Sequence, residues 1–294
     1  MKKYVIVTDS CSDLSKELRE KYDIEYIKMK IIIDGKEYPA SLDWEDFSKK
    51  EFYGLVKEGK RMTTAQITAI EYKKVFEAYI KNGFDVLSIS CSSALSSSYN
   101  GSLVAKKELD ELYPDSKIIC IDARNACLGL GLICITASTL REEGLTIEET
   151  AKYIEDHKLE VNQFCTVEDL TYLRRSGRVS ATSAFMGGLF QVKPIIISDI
   201  KGQNLAIEKV KGRKASFERI LNLFCESLIE NPYQKIIIAH ADCIEDAMLL
   251  KENLAKRIDL SKYEVIIDYI GPIVGSTVGP GTVALYGFCK AVEI

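Results

Sequence analysis

Short apolar runs of strand type alternate along the first half of the chain with stretches whose apolar residues recur at helical spacing. Val5-Ile6-Val7 is the first run; it ends in the polar Thr8-Asp9-Ser10-Cys11-Ser12-Asp13, and a helix follows to about Tyr22. Ile24 to Ile33, the pair Asp34-Gly35 and Lys36-Glu37-Tyr38 form a hairpin signal. Trp44 to Lys57 reads as an amphipathic helix closed by Gly59, and Met62-Thr63-Thr64-Ala65-Gln66 as a polar turn before a helix over Ala69 to Lys81. An apolar strand around Val86 leads into Ser92-Ser93-Ala94-Leu95-Ser96-Ser97-Ser98-Tyr99-Asn100-Gly101, and a helix follows over Ser102 to Leu112. Lys117 to Ile121 is a strand, Asp122-Ala123-Arg124-Asn125 a turn, Cys127 to about Arg141 an apolar helix and Thr146 to His157 a further helix. This alternation predicts a parallel sheet with helices on both faces. Ligands of such sheets sit at the carboxyl ends of the strands. Thr8 to Asp13, Ser92 to Ser98 and Asp122 to Asn125 all fall on that edge.

The texture changes after about residue 160. A short helix leads into Arg174-Arg175-Ser176-Gly177-Arg178-Val179; Val192 to Ile197 and Leu205 to Val210 flank Lys201-Gly202 as an antiparallel pair. A basic turn precedes a helix to Ile229, and Lys235 to Ala239, Ile244 to Ile258 and Tyr263 to Ile270 read as strand, helix and strand. The last motif is a glycine-rich loop, Gly271 to Thr282. The expected fold is α/β in two domains: residues 1–160 with a parallel sheet, and residues 161–294 with a mixed or antiparallel sheet.

Composition narrows the function classes. The 294 residues are 47% hydrophobic and 28% charged, an ordinary globular balance. A net charge of -4, from 39 basic and 43 acidic residues, argues against a nucleic-acid binder. No run approaches the roughly 18 apolar residues of a membrane span. The amino terminus meets Thr8-Asp9-Ser10 too soon for a signal peptide and reads as a first strand. Nine cysteines, with no C-x-x-C pair, read as reduced thiols of a cytoplasmic protein and not as disulfides or a zinc site.

Candidate chemistry concentrates in hydroxyls. Five serines in seven positions, Ser92 to Ser98, sit at a strand-to-helix turn. One or two of them suffice for capping; the remainder suit an anion at a helix start. Gly54 to Arg61 nearly matches the phosphate-loop pattern, but Arg61 stands where the magnesium-binding Ser or Thr belongs, and the stretch ends a helix. Gly-x-Ser-x-Gly is absent, so a hydrolase elbow is not indicated. His240 ends an apolar strand and suits a core position better than a triad; His157 suits a solvated helix end. Arg174, Arg175 and Arg178 form a basic knot that suits either a solvated helix end or docking of a phosphate or an acidic partner.

Seven short motifs, in order over nearly the whole chain, resemble the DegV family. They are Thr8-Asp9-Ser10; Thr63-Thr64-Ala65-Gln66; Ser92 to Asn100; Asp122-Ala123-Arg124; Leu170 to Val179; Lys193-Pro194-Ile195; and Gly275 to Thr282. The resemblance implies a lipid-binding protein that serves as the fatty-acid-binding subunit of a bacterial fatty acid kinase, with a role in phospholipid metabolism. It implies a tunnel between two α/β domains, with a long-chain fatty acid as ligand and no other cofactor, metal or catalytic residue. The carboxylate would meet Thr63, Thr64, Ser93, Ser96, Ser276 and Thr277. Phe185, Met186, Leu189, Phe190 and Ile273 would line the tunnel, although the same residues equally suit a closed core. Arg174, Arg175 and Arg178 would face a separate ATP-dependent kinase subunit, and a transient contact with a membrane surface is compatible with this scheme. Thr277 stands where the family often has His; Thr takes no proton at neutral pH, so its contact with a carboxylate is limited to a hydrogen bond. The rival reading is a hydrolase or phosphotransferase using Ser93 or Ser96 with Asp9 or His240.

Overall fold

The computed structural model describes residues 3–180 and 191–294. Phe185, Met186, Leu189 and Phe190 lie outside the described residues. The first half contains β1 (Tyr4–Asp9), α1 (Lys16–Tyr22), β2 (Ile24–Ile27), β3 (Lys30–Ile33), β4 (Lys36–Pro39), α2 (Lys49–Lys57), β5 (Met62–Ala65), α3 (Ala69–Lys81), β6 (Asp85–Ser90), α4 (Ser98–Leu112), β7 (Ile118–Asp122), α5 (Cys127–Glu142) and α6 (Ile147–His157). Its main sheet runs β2-β1-β6-β7, parallel throughout. A small antiparallel sheet, β4-β3-β5, stands beside it. The second half contains β8 (Val161–Thr166), α7 (Leu170–Ser176), β9 (Val179–Ser180), β10 (Val192–Ser198), β11 (Asn204–Lys211), α8 (Arg213–Ser227), β12 (Lys235–His240), α9 (Ile244–Ala255), β13 (Glu264–Tyr269), α10 (Pro272–Val278) and β14 (Val283–Phe288). Its strands form one mixed sheet in the order β13-β12-β14-β8-β10-β11-β9.

Several elements differ from the periodicity reading. Ile24 to Ile33 is two strands: β2 joins the parallel sheet beside β1, and β3 turns away into the small sheet. Met62 to Gln66 is not a turn; Thr63 and Thr64 pair with Ile32 and Ile31 on β3. The helix expected from Trp44 starts at Lys49, where Ser48 and Glu51 close a capping box. Helix α4 begins at Ser98, earlier than expected. Gly101 sits in its first turn, where a Cβ would meet the Ile67 carbonyl at 2.9 Å, so the start of α3 crosses α4 there. The glycine-rich stretch is not a plain loop: Pro272 opens α10 at its first turn, where a missing N–H costs nothing, and Gly279 ends it at φ 75°. Strand β14 is absent from the periodicity reading, yet it lies inside the mixed sheet between β12 and β8.

Helix α5 joins the halves. Thirteen of its sixteen residues are buried. A helix that is apolar all round must be covered all round, and α5 contacts β1, β2 and β6 of the parallel sheet as well as β8, β12 and β14 of the mixed one. Helices α3 and α4 pack together over β6 and β7 of the first sheet, while α8 and α9 cover the second through Phe217, Phe224, Leu250 and Leu254. Two glycines make the close fit. A Cβ on Gly129 would sit 2.9 Å from the Tyr286 ring of β14, and one on Gly131 would sit 2.8 Å from the Ser12 carbonyl after β1. Gly131→Ala gains roughly 1 kcal/mol of helix propensity, but overpacking against backbone costs about 1–3 kcal/mol. The expected outcome is net destabilisation, read as a lower urea midpoint; an unchanged or higher midpoint would show that the seam yields freely.

Candidate functional site

The site grows from the carboxyl edge of the parallel sheet. Asp9, the last residue of β1, is buried; its two oxygens accept the N–H groups of Cys11 and Cys91, both at 2.8 Å. One carboxylate thus clamps the ends of β1 and β6. Burial pushes Asp9 up to about 6 against the pull of those two bonds. Ser10 Oγ donates to the Ala40 carbonyl at 2.8 Å and accepts the Met29 N–H at 2.9 Å, which ties this edge to the small sheet.

The serine turn is held by its neighbours. Ser92 N–H donates to the Asn125 carbonyl at 3.0 Å. Ser93 donates through its N–H at 3.1 Å and its hydroxyl at 2.5 Å to the two oxygens of Asp122. Ser98 Oγ accepts the Ile67 N–H at 3.1 Å and lies 3.0 Å from Ser96 Oγ, a bond in which either hydroxyl can donate. Ser98 N–H donates to that same Ser96 oxygen at 3.2 Å.

A cavity of about 960 Å³ opens over this turn. Thr63, Thr64, Ser93, Ser96, Ser276 and Thr277 all line it, and Met29, Val56, Leu95 and Ile273 contribute apolar wall. The hydroxyls are not equivalent. Successive strand residues face opposite sides; Thr64 pairs with buried Ile31, and exposed Thr63 pairs with Ile32. Ser276 and Thr277 both donate to the Ile273 carbonyl, at 2.9 and 3.3 Å, within α10. No Asp or Glu is among the described residues lining the cavity, whereas Lys60, Arg61, Arg175 and Arg178 are. Arg174 is exposed on α7 and is not among the lining residues. Arg178 donates through Nη1 to the Ser176 carbonyl at 2.8 Å. Among the described residues no group of three or more His, Cys, Asp or Glu is placed to hold a metal ion.

The structure does not bring the rival's base to the serines. His240 is buried; its Nδ1 accepts the Cys243 N–H at 3.3 Å and its ring lies 4.1 Å from that of Tyr269. Burial, aided by Lys49, lowers it to about 4, so it is neutral at pH 7. His240 is not among the residues lining the cavity, and both oxygens of Asp9 serve backbone N–H groups. His157 is half-buried, with Nδ1 2.9 Å from Glu160 Oε2. Sequence reasoning missed Asp122 as the anchor of Ser93 and Lys60-Arg61 as cavity residues; Asp122 carried a signal, standing at a strand end on the right edge.

An α/β protein with a ligand-sized cavity at the carboxyl edge of its parallel sheet is the class that this fold and site define. The profile of the family described as "Uncharacterised protein, DegV family" matches residues 3–289. A DegV domain-containing protein of Clostridium perfringens is 38% identical over 97% of this chain and 97% of its own. Two crystal structures are similar throughout. A DegV lipid-binding protein from Thermotoga maritima has a TM-score of 0.85 and 27% identity over 99% of this chain and 100% of its own. DegV from Bacillus subtilis, a fatty-acid-binding protein, has a TM-score of 0.82 and 28% identity over 99% of this chain and 100% of its own. The chain belongs to the DegV family.

Behind the cavity, Asp13 (φ 51°) is sealed against Gly271, where a Cβ would approach Oδ1 to 2.3 Å. Neither of its oxygens meets a partner at hydrogen-bonding geometry. Burial pushes it up to about 8, outweighing the Cys127 thiol and Gly271 N–H beside it. A carboxyl raised above its ordinary 3.8 contributes stability that is full below that value and lost as pH rises through the folded value. Asp9 withdraws its share by about 6 and Asp13 by about 8. The urea midpoint is therefore expected to fall between pH 6 and pH 8, and Asp13→Asn to flatten that fall. An identical pH profile in the variant would remove Asp13 from the account.

Proposed function

We propose that this protein binds a long-chain fatty acid, with the carboxylate at Ser96 and Thr64, and presents it to a separate ATP-dependent kinase that converts it to an acyl phosphate. The observation that carries the reading is a single cavity that combines hydroxyl donors, apolar wall and basic residues with no lining Asp or Glu among the described residues. Two relatives of the same fold, the lipid-binding protein of Thermotoga maritima and the fatty-acid-binding DegV of Bacillus subtilis, support it. In this reading the cavity is the opening between units of residues 1–160 and 161–294; its lining draws on β5 and the serine turn from the first half of the chain and on α7 and α10 from the second. Ser93 stays with Asp122, while Ser276 and Thr277 join when a carboxylate draws them from the Ile273 carbonyl. Arg174, Arg175 and Arg178 meet the kinase. In this reading the protein performs no catalysis alone and works in the cytoplasm.

The division of labour follows from magnitudes. At about 0.8 kcal/mol per buried methylene, about 14 methylenes contribute roughly 11 kcal/mol before binding costs. Each hydroxyl bond to the carboxylate adds about 1.5–3 kcal/mol at best. The tail sets affinity and the hydroxyls set position. The kinase then needs only a carboxylate oxygen held still for attack on the γ-phosphorus of ATP.

Mass spectrometry of the purified protein, native and then after denaturing solvent extraction, tests the reading. Near-stoichiometric fatty acid released only on denaturation is expected; a clean mass that stays unchanged after incubation with long-chain acids would sink it. Ser96→Ala is expected to weaken acid binding about tenfold, measured by displacement of a fluorescent fatty acid; unchanged affinity together with unchanged acyl phosphate formation would exclude Ser96 from the head-group site. Arg178→Ala is expected to keep acid affinity and lose coupling to the kinase. If acid affinity falls instead, Arg178 acts on the bound acid and not on the kinase.

A further inference from the structure

We propose that Lys60 and Arg61 form one lip of a phosphate-holding rim, facing Arg175 across the cavity mouth, so that the phosphorylated acyl chain binds more tightly than the free acid. This rests on the carrier reading above and names the species that the carrier holds best.

The argument starts from charge. A carboxylate brings one negative charge, and hydroxyl donors at the serine turn and β5 are enough to receive it. The cavity nevertheless has four basic residues among its described lining and no acidic one, in a chain whose net charge is -4. Cations outside its lining are engaged: Lys57 with Asp242 at 2.7 Å, Lys193 with Glu168 at 2.6 Å and Arg213 with Asp246 at 2.7 Å. Among the described residues Arg61 and Arg175 make no ion pair, and Lys60 has only the exposed Asp34, at 3.1 Å.

The lip is held in place by its backbone. Asp34 N–H donates to the Arg61 carbonyl at 2.9 Å and Arg61 N–H donates to Asp34 Oδ1 at 3.1 Å. Lys60 N–H donates to the Leu55 carbonyl at 3.2 Å, folding the segment back on the end of α2. The facing side is fastened to the same helix end, where Tyr172 of α7 donates to the Val56 carbonyl at 3.5 Å. A Cβ on Gly279 would sit 2.2 Å from the Tyr172 ring, so α10 backs that contact closely. Arg61 and Arg175 thus stand on two short segments pinned to one anchor. An acyl phosphate extends the head group outward by one phosphoryl group and adds negative charge there. Guanidinium forks pair with carboxylate and phosphate oxygens alike; the preference would come from reach and charge, because the phosphoryl group carries its oxygens beyond a carboxylate seated at the hydroxyls.

The test needs no kinase, because hexadecyl phosphate is a stable stand-in for the acyl phosphate of the same chain. Its affinity is compared with that of hexadecanoate for the intact protein. The expected result is a preference for the alkyl phosphate of about tenfold that shrinks as salt is raised. Arg61→Ala should remove most of that preference while leaving hexadecanoate affinity within about twofold, and Arg61→Lys should restore part of it. Acid binding without a phosphate preference, or an Arg61→Ala variant that weakens both ligands equally, overturns the rim and leaves the carrier reading standing. Failure of both ligands to bind overturns the carrier reading and the rim with it.

Discussion

Helix α5 is buried over thirteen of its sixteen residues, and the rest of the molecule is arranged to keep it from water. A single sheet covers one side of a helix, so α5 requires two. The parallel sheet supplies β1, β2 and β6, and the mixed sheet supplies β8, β12 and β14. The small residues of α5 face both: Gly129 admits Tyr286 and Gly131 admits the Ser12 carbonyl. The two sheets are thereby fixed relative to each other, and the carboxyl edge of the first comes to face α7 and α10 of the second. The cavity is what remains where that packing stops.

Around the cavity, hydrogen bonds are distributed so that few groups are idle. Asp9 looks like a base in sequence, but its oxygens hold two strand ends together through Cys11 and Cys91. Asp122 holds Ser93, the Ile67 N–H donates to Ser98, and Ser98 and Ser96 share a hydrogen bond. Hydroxyls line the cavity, with no carboxylate among its described lining residues. His240, sealed and neutral, belongs to the packing of β12 and β13.

Legibility followed the range of the interactions. The helix over Ala69 to Lys81 was readable to the residue because Thr68 and Glu71 form its capping box within one turn. The β3–β4 hairpin was readable from Asp34-Gly35, and the β10–β11 pair from Lys201-Gly202. Strand β5 was not, because nothing local pairs Thr63 and Thr64; their partner is β3, about thirty residues earlier. Helix α10 was hidden by its own glycines, which are there because Asp13, Tyr53 and Tyr172 press where side chains would stand.

The sequence by itself determined the α/β class, the parallel order of alternating elements, the hydroxyl-rich turn on the carboxyl edge and the family, because each rests on contacts a few residues long or on motifs read in order. Tertiary structure alone decided which hydroxyls share a cavity, that Ser93 is tied to Asp122, that His240 is not a cavity residue and that Lys60 and Arg61 join Arg175 and Arg178 in its lining. Those outcomes depend on how two sheets close over one apolar helix, and the distances that closure creates between remote residues are not written in the spacing of any one segment.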